Sequence, residues 1–260
     1  MDGTQDFYAL KAMLDWQVEM GVTDAICDDP VDRYEVPAEA PKIASVQKAK
    51  TESAPPVPEA PDPAVIAKEV AENVGALDGL AATLKAFDLC EIKRGARNFV
   101  FADGNPLARV MIIGEAPGRD EDMAGRPFVG RAGQLLDKMF GAIDMGRDAV
   151  DAEKSIYITN ILPWRPPQNR DPSPEEIAMM RPFVERHVEL AQPGVIVLMG
   201  NVSCQAILGK RGITRLRGQW AEAFGKPCLP MFHPAYLLRN PAAKREAWHD
   251  LLMLREKLKG

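Results

Sequence analysis

No Cys-x-x-Cys pair occurs in this 260-residue chain, and its four cysteines, Cys27, Cys90, Cys204 and Cys228, are scattered. That spacing argues against a zinc knuckle or a dithiol redox motif, and a reduced, cytoplasmic setting is the default expectation for isolated thiols. No apolar run approaches the roughly 20 residues of a membrane-spanning helix. The start, Met1–Asp6, lacks the basic residues of a signal peptide. Histidine is scarce: His187, His233 and His249 are the only three. His187 and His249 fall in helical stretches among charged neighbours and read as surface residues. No internal repeat is visible.

Charge is unevenly spread. Residues 1–75 carry 6 Lys+Arg against 15 Asp+Glu, a net of −9, whereas residues 76–260 carry 26 against 22, a net of +4. A mildly basic C-terminal part suits a polyanionic ligand, although an ordinary solvated surface has the same balance. Phe7, Leu10, Leu14 and Val18 recur at helical spacing, so Asp6 to about Ile26 reads as a helix within an N-terminal segment 1–35. That helix either packs on the rest of the chain or docks on a protein partner. Seven prolines between Pro37 and Pro63, set among Ala, Glu and Lys, make 36–65 a disordered linker.

From residue 66 to 260 the pattern is that of a folded domain. Apolar runs at Arg109–Ile113, Ser155–Thr159, Val195–Met199 and Pro227–Met231 read as strands. Helical patterns at 67–87, 132–143, 174–190, 202–208 and 242–257 alternate with them. That alternation predicts an α/β fold with three layers, α/β/α, around a mainly parallel four-stranded sheet.

Three blocks carry the chemistry. The first is Gly114-Glu115-Ala116-Pro117-Gly118-Arg119-Asp120-Glu121-Asp122, followed by Gly125-Arg126-Pro127-Phe128-Val129-Gly130. It follows the strand candidate ending at Ile113, and ligands of α/β proteins bind beyond the carboxyl ends of strands. The second is Asn160-Ile161-Leu162-Pro163-Trp164-Arg165-Pro166-Pro167-Gln168-Asn169-Arg170, and the third is His233-Pro234-Ala235-Tyr236-Leu237-Leu238. Taken singly, Phe128 is an ordinary core aromatic, Asn160 a turn former and His233 a structural histidine. Together, in this order, the blocks resemble those of the uracil-DNA glycosylases of the iron–sulfur type (family 4), from about Leu84 to Trp248.

The resemblance implies excision of uracil from DNA with base excision repair to follow. DNA containing uracil is then the partner, a monomer is expected, and the setting is cytoplasmic and nucleoid-associated. Such an enzyme needs a shaped slot, a reader of the base edge, an electrophile near the departing anion and a carboxylate near the cationic sugar or its attacking water. By resemblance Phe128 stacks on the flipped base, Asn160 reads its edge, and Gly114 and Ala116 line the slot. His233 contacts uracil O2, where a neutral imidazole donates one N–H. Other glycosylase families have an Asp at the position of Ala116, so water handling falls to Glu115, Glu121 or a backbone carbonyl. The expected division gives Glu121 the water and the cation, and Glu115 the loop and the base edge. Asp122 reads as a helix-start or loop hydrogen-bonder. Arg165, Arg170 and Arg239 are the candidate phosphate contacts, with a carboxylate at the sheet edge the alternative partner of Arg165. Tyr236, Leu237 and Leu238 form an apolar wedge for the gap left by a flipped base. The chain has no basic, His-bearing insertion like that of relatives that trap DNA covalently, so turnover is expected.

One departure stands out. The family's [4Fe–4S] cluster has four cysteine ligands, and the positions matching them here hold Phe87, Cys90, Trp164 and Met180. One thiolate cannot hold such a cluster. The three replacements are all large and apolar, so a hydrophobic plug without iron is expected, and no cofactor. A regulatory DNA-binding protein on a glycosylase fold is the alternative, which the presence of Asn160 and His233 opposes. A phosphate-cradling α/β hydrolase would need a loop lysine or a nucleophile, and neither appears.

Overall fold

The computed structural model describes residues 62–259 together with Leu10, Lys11, Met13 and Leu14. Those four N-terminal residues are helical, and the rest of the expected N-terminal helix and nearly all of the proline-rich linker lie outside the described residues. The chain divides into two units, Met1–Pro58 and Glu59–Gly260, and the second holds everything that follows.

Its centre is a six-stranded sheet of β1 (Ala102–Gly104), β2 (Val110–Gly114), β3 (Ile156–Asn160), β4 (Val195–Met199), β5 (Ala221–Ala223) and β6 (Lys226–Met231), in the order β1-β3-β2-β4-β6-β5. The four expected strands are the inner, parallel ones. Every residue of β2, β3 and β4 is buried. Helices cover both faces, so these strands read as unbroken apolar runs instead of alternating. The two edge strands pair antiparallel, β1 with β3 and β5 with β6. Each is three residues long, too short for a periodic signal.

The helices are α1 (Pro63–Glu72), α2 (Leu77–Ala86), α3 (Arg119–Ala124), α4 (Arg131–Gly141), α5 (Pro174–Ala191), α6 (Asn201–Leu208), α7 (Ile213–Leu216), α8 (Pro234–Arg239) and α9 (Lys244–Lys259). The single helix expected over 67–87 is split in two, with Gly75 in the break, where glycine's backbone freedom weakens a helix. α5 begins where its sequence dictates. The Ser173 hydroxyl accepts from Glu176 N (3.2 Å), Glu176 Oε2 accepts from Ser173 N (2.7 Å), and Pro174 takes the first turn. The short α3, α7 and α8 were not expected, because four to six residues do not complete a helical period of apolar positions. Among the described residues no helix is long and apolar enough to cross a membrane.

His187 corrects one expectation. It is buried, with Nε2 2.9 Å from Tyr157 Oη and its ring stacked 4.4 Å from that of Phe101. Burial pushes its pKa down to about 3, so it is a neutral core histidine bridging α5 and β3. A helical position alone does not reveal which face turns inward. His249 is exposed, as expected.

Candidate active site

The carboxyl ends of the four parallel strands open into one cleft of about 610 Å³. Glu115, Ala116, Pro117 and Gly118 enter it from the end of β2, Asn160 from β3, Gly200 and Asn201 from β4, and Phe232 and His233 from β6. Phe128, Glu121, Arg170, Tyr236 and Arg239 complete the parts the sequence pointed to. The parallel sheet is what gathers the three blocks, since parallel strands bring all their C-terminal loops to one edge.

Gly114 and Asn160 are register partners across β2 and β3. A Cβ on Gly114 would lie 2.6 and 2.7 Å from two ring carbons of Phe128 and would also meet Asn160 Oδ1. Only glycine lets the ring and the amide close on the strand end. Asn160 is buried, and its Oδ1 has no hydrogen-bond partner among the described residues. Burying an acceptor without a partner is costly.

Phe128 is buried and has φ of 53°, the left-handed region that a bulky side chain seldom occupies. Its ring lies 5.4 Å from that of His233 at 31°. His233 Nδ1 accepts from Ala235 N at 3.1 Å. That bond places the imidazole proton on Nε2. Burial, aided by the charge of Arg239, holds the His233 pKa down to about 4, so the ring is a neutral N–H donor at neutral pH. Gly200, at φ 95°, passes beneath it, where a Cβ would sit 3.2 Å from His233 Cβ.

The two candidate carboxylates have unlike surroundings. Glu121 Oε1 accepts from Val129 N (3.0 Å) and Gly130 N (2.9 Å), and its Oε2 accepts from Gly118 N (3.1 Å). Its oxygens are thus committed to folding the first block. The Glu115 carboxylate accepts no hydrogen bond among the described residues, and burial, reinforced by Asp171 and opposed by Arg211, pushes its pKa up to about 7. A half-buried carboxyl near neutrality can exist in either protonation state at neutral pH. Asp122 does bond the loop: its Oδ1 accepts from Arg97 N (2.9 Å) and Asn98 N (3.0 Å).

Other expected contacts fare differently. Arg170 lines the cleft, but its guanidinium forks onto Glu176 (2.6 and 2.8 Å) and so holds the start of α5. Arg165 Nε donates to Asn169 Oδ1 at 2.7 Å. Arg239 is exposed on the cleft rim and has no ion-pair partner among the described residues. Leu237 is buried in the core and is no wedge; only Leu238, on the outer side of α8, is exposed. Consecutive residues of a six-residue helix point different ways, which the linear block does not show. Tyr236 lines the cleft with its ring stacked on Phe232 at 4.9 Å. Sequence reasoning missed Asp171, a cleft residue paired with Arg211 at 3.6 Å. Its adjacency to Arg170 was the available clue, while nothing in the sequence placed Arg211 nearby.

A sequence profile described as the uracil DNA glycosylase superfamily matches residues 101–252. The chain belongs to that superfamily. It is 36% identical over 189 residues to the type-4 uracil-DNA glycosylase of Archaeoglobus fulgidus, covering 69% of this chain and 92% of that one. It is 39% identical over 160 residues to the type-4 uracil-DNA glycosylase of Thermotoga maritima, covering 60% and 80%. The type-5 uracil-DNA glycosylase of Pyrobaculum aerophilum is more distant, at 28% over 149 residues and coverage of 53% and 66%.

For this member of the superfamily the residues present do not fit a four-thiolate cluster. Phe87, Cys90, Trp164 and Met180 are all buried in the main core. Phe87 packs edge-on against Phe183 of α5 (5.2 Å, 70°), and Trp164 packs against Phe99 (5.8 Å) with Lys93 Nζ 5.7 Å above its ring. Burial raises the Cys90 thiol above its ordinary pKa. Cys204 and Cys228 are buried on α6 and β6, each pushed up to about 12 by the same cause. Among the described residues no group of three or more His, Cys, Asp or Glu is placed to hold a metal ion.

Proposed function

We propose that this chain is a uracil-DNA glycosylase that draws uracil out of DNA into the cleft and hydrolyses its N-glycosidic bond, leaving an abasic site that initiates base excision repair. The observation that carries the reading is the buried, unpartnered Asn160 Oδ1 beside the Phe128 ring. Uracil offers a donor at N3–H and an acceptor at O4, the complement of an amide's oxygen and nitrogen. Phe128 stacks on the pyrimidine face. His233 Nε2–H donates to O2, where negative charge gathers as the bond from N1 to the sugar breaks with its electron pair leaving on the base. Glu115, as the carboxylate, faces the oxocarbenium-like sugar and takes the proton of the water that adds to it. Arg239 and Arg165 supply phosphate contacts, and Leu238 with Tyr236 supplies the apolar contact at the gap. The enzyme works without a bound cluster, in the cytoplasm at the nucleoid, as a monomer whose N-terminal helix is available to a partner.

The direct test is incubation with single- and double-stranded oligonucleotides containing uracil, followed by alkali to cleave abasic sites, without added metal. Strand cleavage at uracil is expected, and none at high enzyme on either substrate would overturn the reading. Asn160→Asp is expected to lose most uracil activity and to shift selectivity toward cytosine, whose amino group then finds an acceptor. Full uracil activity in that variant would remove Asn160 from the base edge.

The Glu115 carboxyl gives a pH signature. With a pKa near 7 in the free protein, it is largely protonated below that pH and anionic above. A group that must be anionic therefore makes kcat/KM rise as pH passes upward through about 7. Glu115→Gln should be slow and should lose that limb. Retention of the limb in the variant assigns the titration elsewhere.

A further inference from the structure

The ring of Phe128 works only if its backbone stays in the left-handed region, at φ 53°, and a lone phenylalanine does not stay there unaided. Three features hold it. From the C-terminal side, Glu121 Oε1 accepts the N–H groups of Val129 and Gly130. Beneath, Gly133 in the first turn of α4 lies against the Phe128 carbonyl so closely that a Cβ there would overlap it. From the N-terminal side comes Arg147, a residue outside all three blocks. Its Nη2 donates to the Phe128 carbonyl oxygen at 2.8 Å and its Nη1 to that of Pro127 at 3.0 Å.

Arg147 is itself fixed. Its side chain is 8% exposed, Nη1 also donates to Asp103 Oδ2 at 2.8 Å, and Nε donates to Asp137 Oδ1 at 2.9 Å. Asp103 lies on the edge strand β1 and Asp137 on α4, so the fork is anchored to two separate elements. Arg126 shares Asp103 at 3.9 Å. The outcome is a pair of opposite charges gripping four consecutive residues, the anion on two N–H groups and the cation on two carbonyl groups. A planar guanidinium with five donors in fixed directions suits this task, and a lysine ammonium does not.

We infer that Arg147 is a positioning residue: anchored by Asp103 and Asp137, it locks the Pro127–Phe128 backbone so that the Phe128 ring stands preformed as the wall of the base slot. Preforming the slot matters because a flipped base is held by stacking on one face and by Asn160 at its edge. A ring free to swing away would have to be reordered with each substrate. The inference rests on the reading of this cleft as a uracil slot, but its geometric part does not depend on turnover.

The test uses the full chain with Arg147→Lys, which keeps the charge between Asp103 and Asp137 and loses the fork onto the two carbonyls. On a uracil oligonucleotide, kcat/KM is expected to fall about tenfold or more, a modest share of what misplacing a reacting or binding group can cost, with the loss falling mainly on KM. The deciding measurement is the same substitution in a Phe128→Ala background. There it should cost less than about twofold, because contacts acting through one ring are not additive. Equal losses in both backgrounds would mean that Arg147 acts on DNA or on the fold at large. An unchanged kcat/KM in Arg147→Lys would overturn the inference outright. A second readout is the fluorine NMR signal of a fluorophenylalanine at position 128. One sharp line is expected in the parent and a broadened or divided line in Arg147→Lys. If the parent excises no uracil, the functional reading fails, and the fluorine signal alone still decides whether Arg147 holds the ring.

Discussion

His233→Ala should lower kcat for uracil release by about 10²–10³-fold, the usual loss when one preorganised donor to a developing oxyanion is removed. The expectation rests on the tautomer. Ala235 N–H is bonded to Nδ1 at 3.1 Å, so the proton sits on Nε2 and the ring is an aimed, neutral donor before substrate arrives. A pKa held down to about 4 means that this donor does not change its charge between pH 5 and 9. The parent should therefore show no kinetic limb from His233 in that range, and a limb near pH 7 is expected from Glu115. Single-turnover assays with the parent, His233→Ala and Glu115→Gln separate the two. A His233→Ala rate within a few-fold of the parent would take the imidazole out of the chemical step.

Trp164→Ala should destabilise the folded domain by about 3–5 kcal/mol, the range for emptying a buried aromatic site. Trp164 is 2% exposed and packs on Phe99 beneath Lys93. By the resemblance read from the sequence, its position matches a cluster ligand of the iron–sulfur type. Phe87 and Cys90 after α2, Trp164 in the loop after β3, and Met180 and Phe183 of α5 are all buried in the same core, where Phe87 packs on Phe183. Dispersion and burial of apolar surface hold these residues in the core. Urea unfolding followed by circular dichroism measures the loss. A change below about 1 kcal/mol would show a site that collapses freely and would leave the plug without a structural role. Iron and sulfide analysis of anaerobically purified protein is the companion measurement. Stoichiometric iron would falsify the plug and bring Cys27, Cys204 or Cys228 into service as ligands.

The residues that stand at strand ends were legible before any fold was known. Gly114, Asn160 and His233 each follow an apolar run, and a parallel sheet obliges such positions to share one edge. The four inner strands were legible for the same reason, because a strand buried on both faces is written as a continuous apolar word. What the sequence did not contain were facts of direction and partnership. Leu237 and Leu238 are neighbours in the chain, yet one is core and the other surface, because the placement of α8 decides which side faces in. Glu115 and Glu121 are the same residue type six positions apart, and composition cannot tell them apart. The turn from α3 to α4 brings the N–H groups of Val129 and Gly130 to Glu121, which also accepts from Gly118 N ahead of α3, whereas Glu115 lies in the cleft under the charges of Asp171 and Arg211, residues more than fifty positions away. His187 looked like a surface residue until α5 turned it onto Phe101 and Tyr157. Arg147 carried no signal at all, since its role exists only where β1, α4 and the Phe128 loop meet. Residue chemistry and period are local and can be read along the chain. Desolvation, charge pairing and hydrogen-bond commitment depend on what packs alongside, and only the folded chain supplies that.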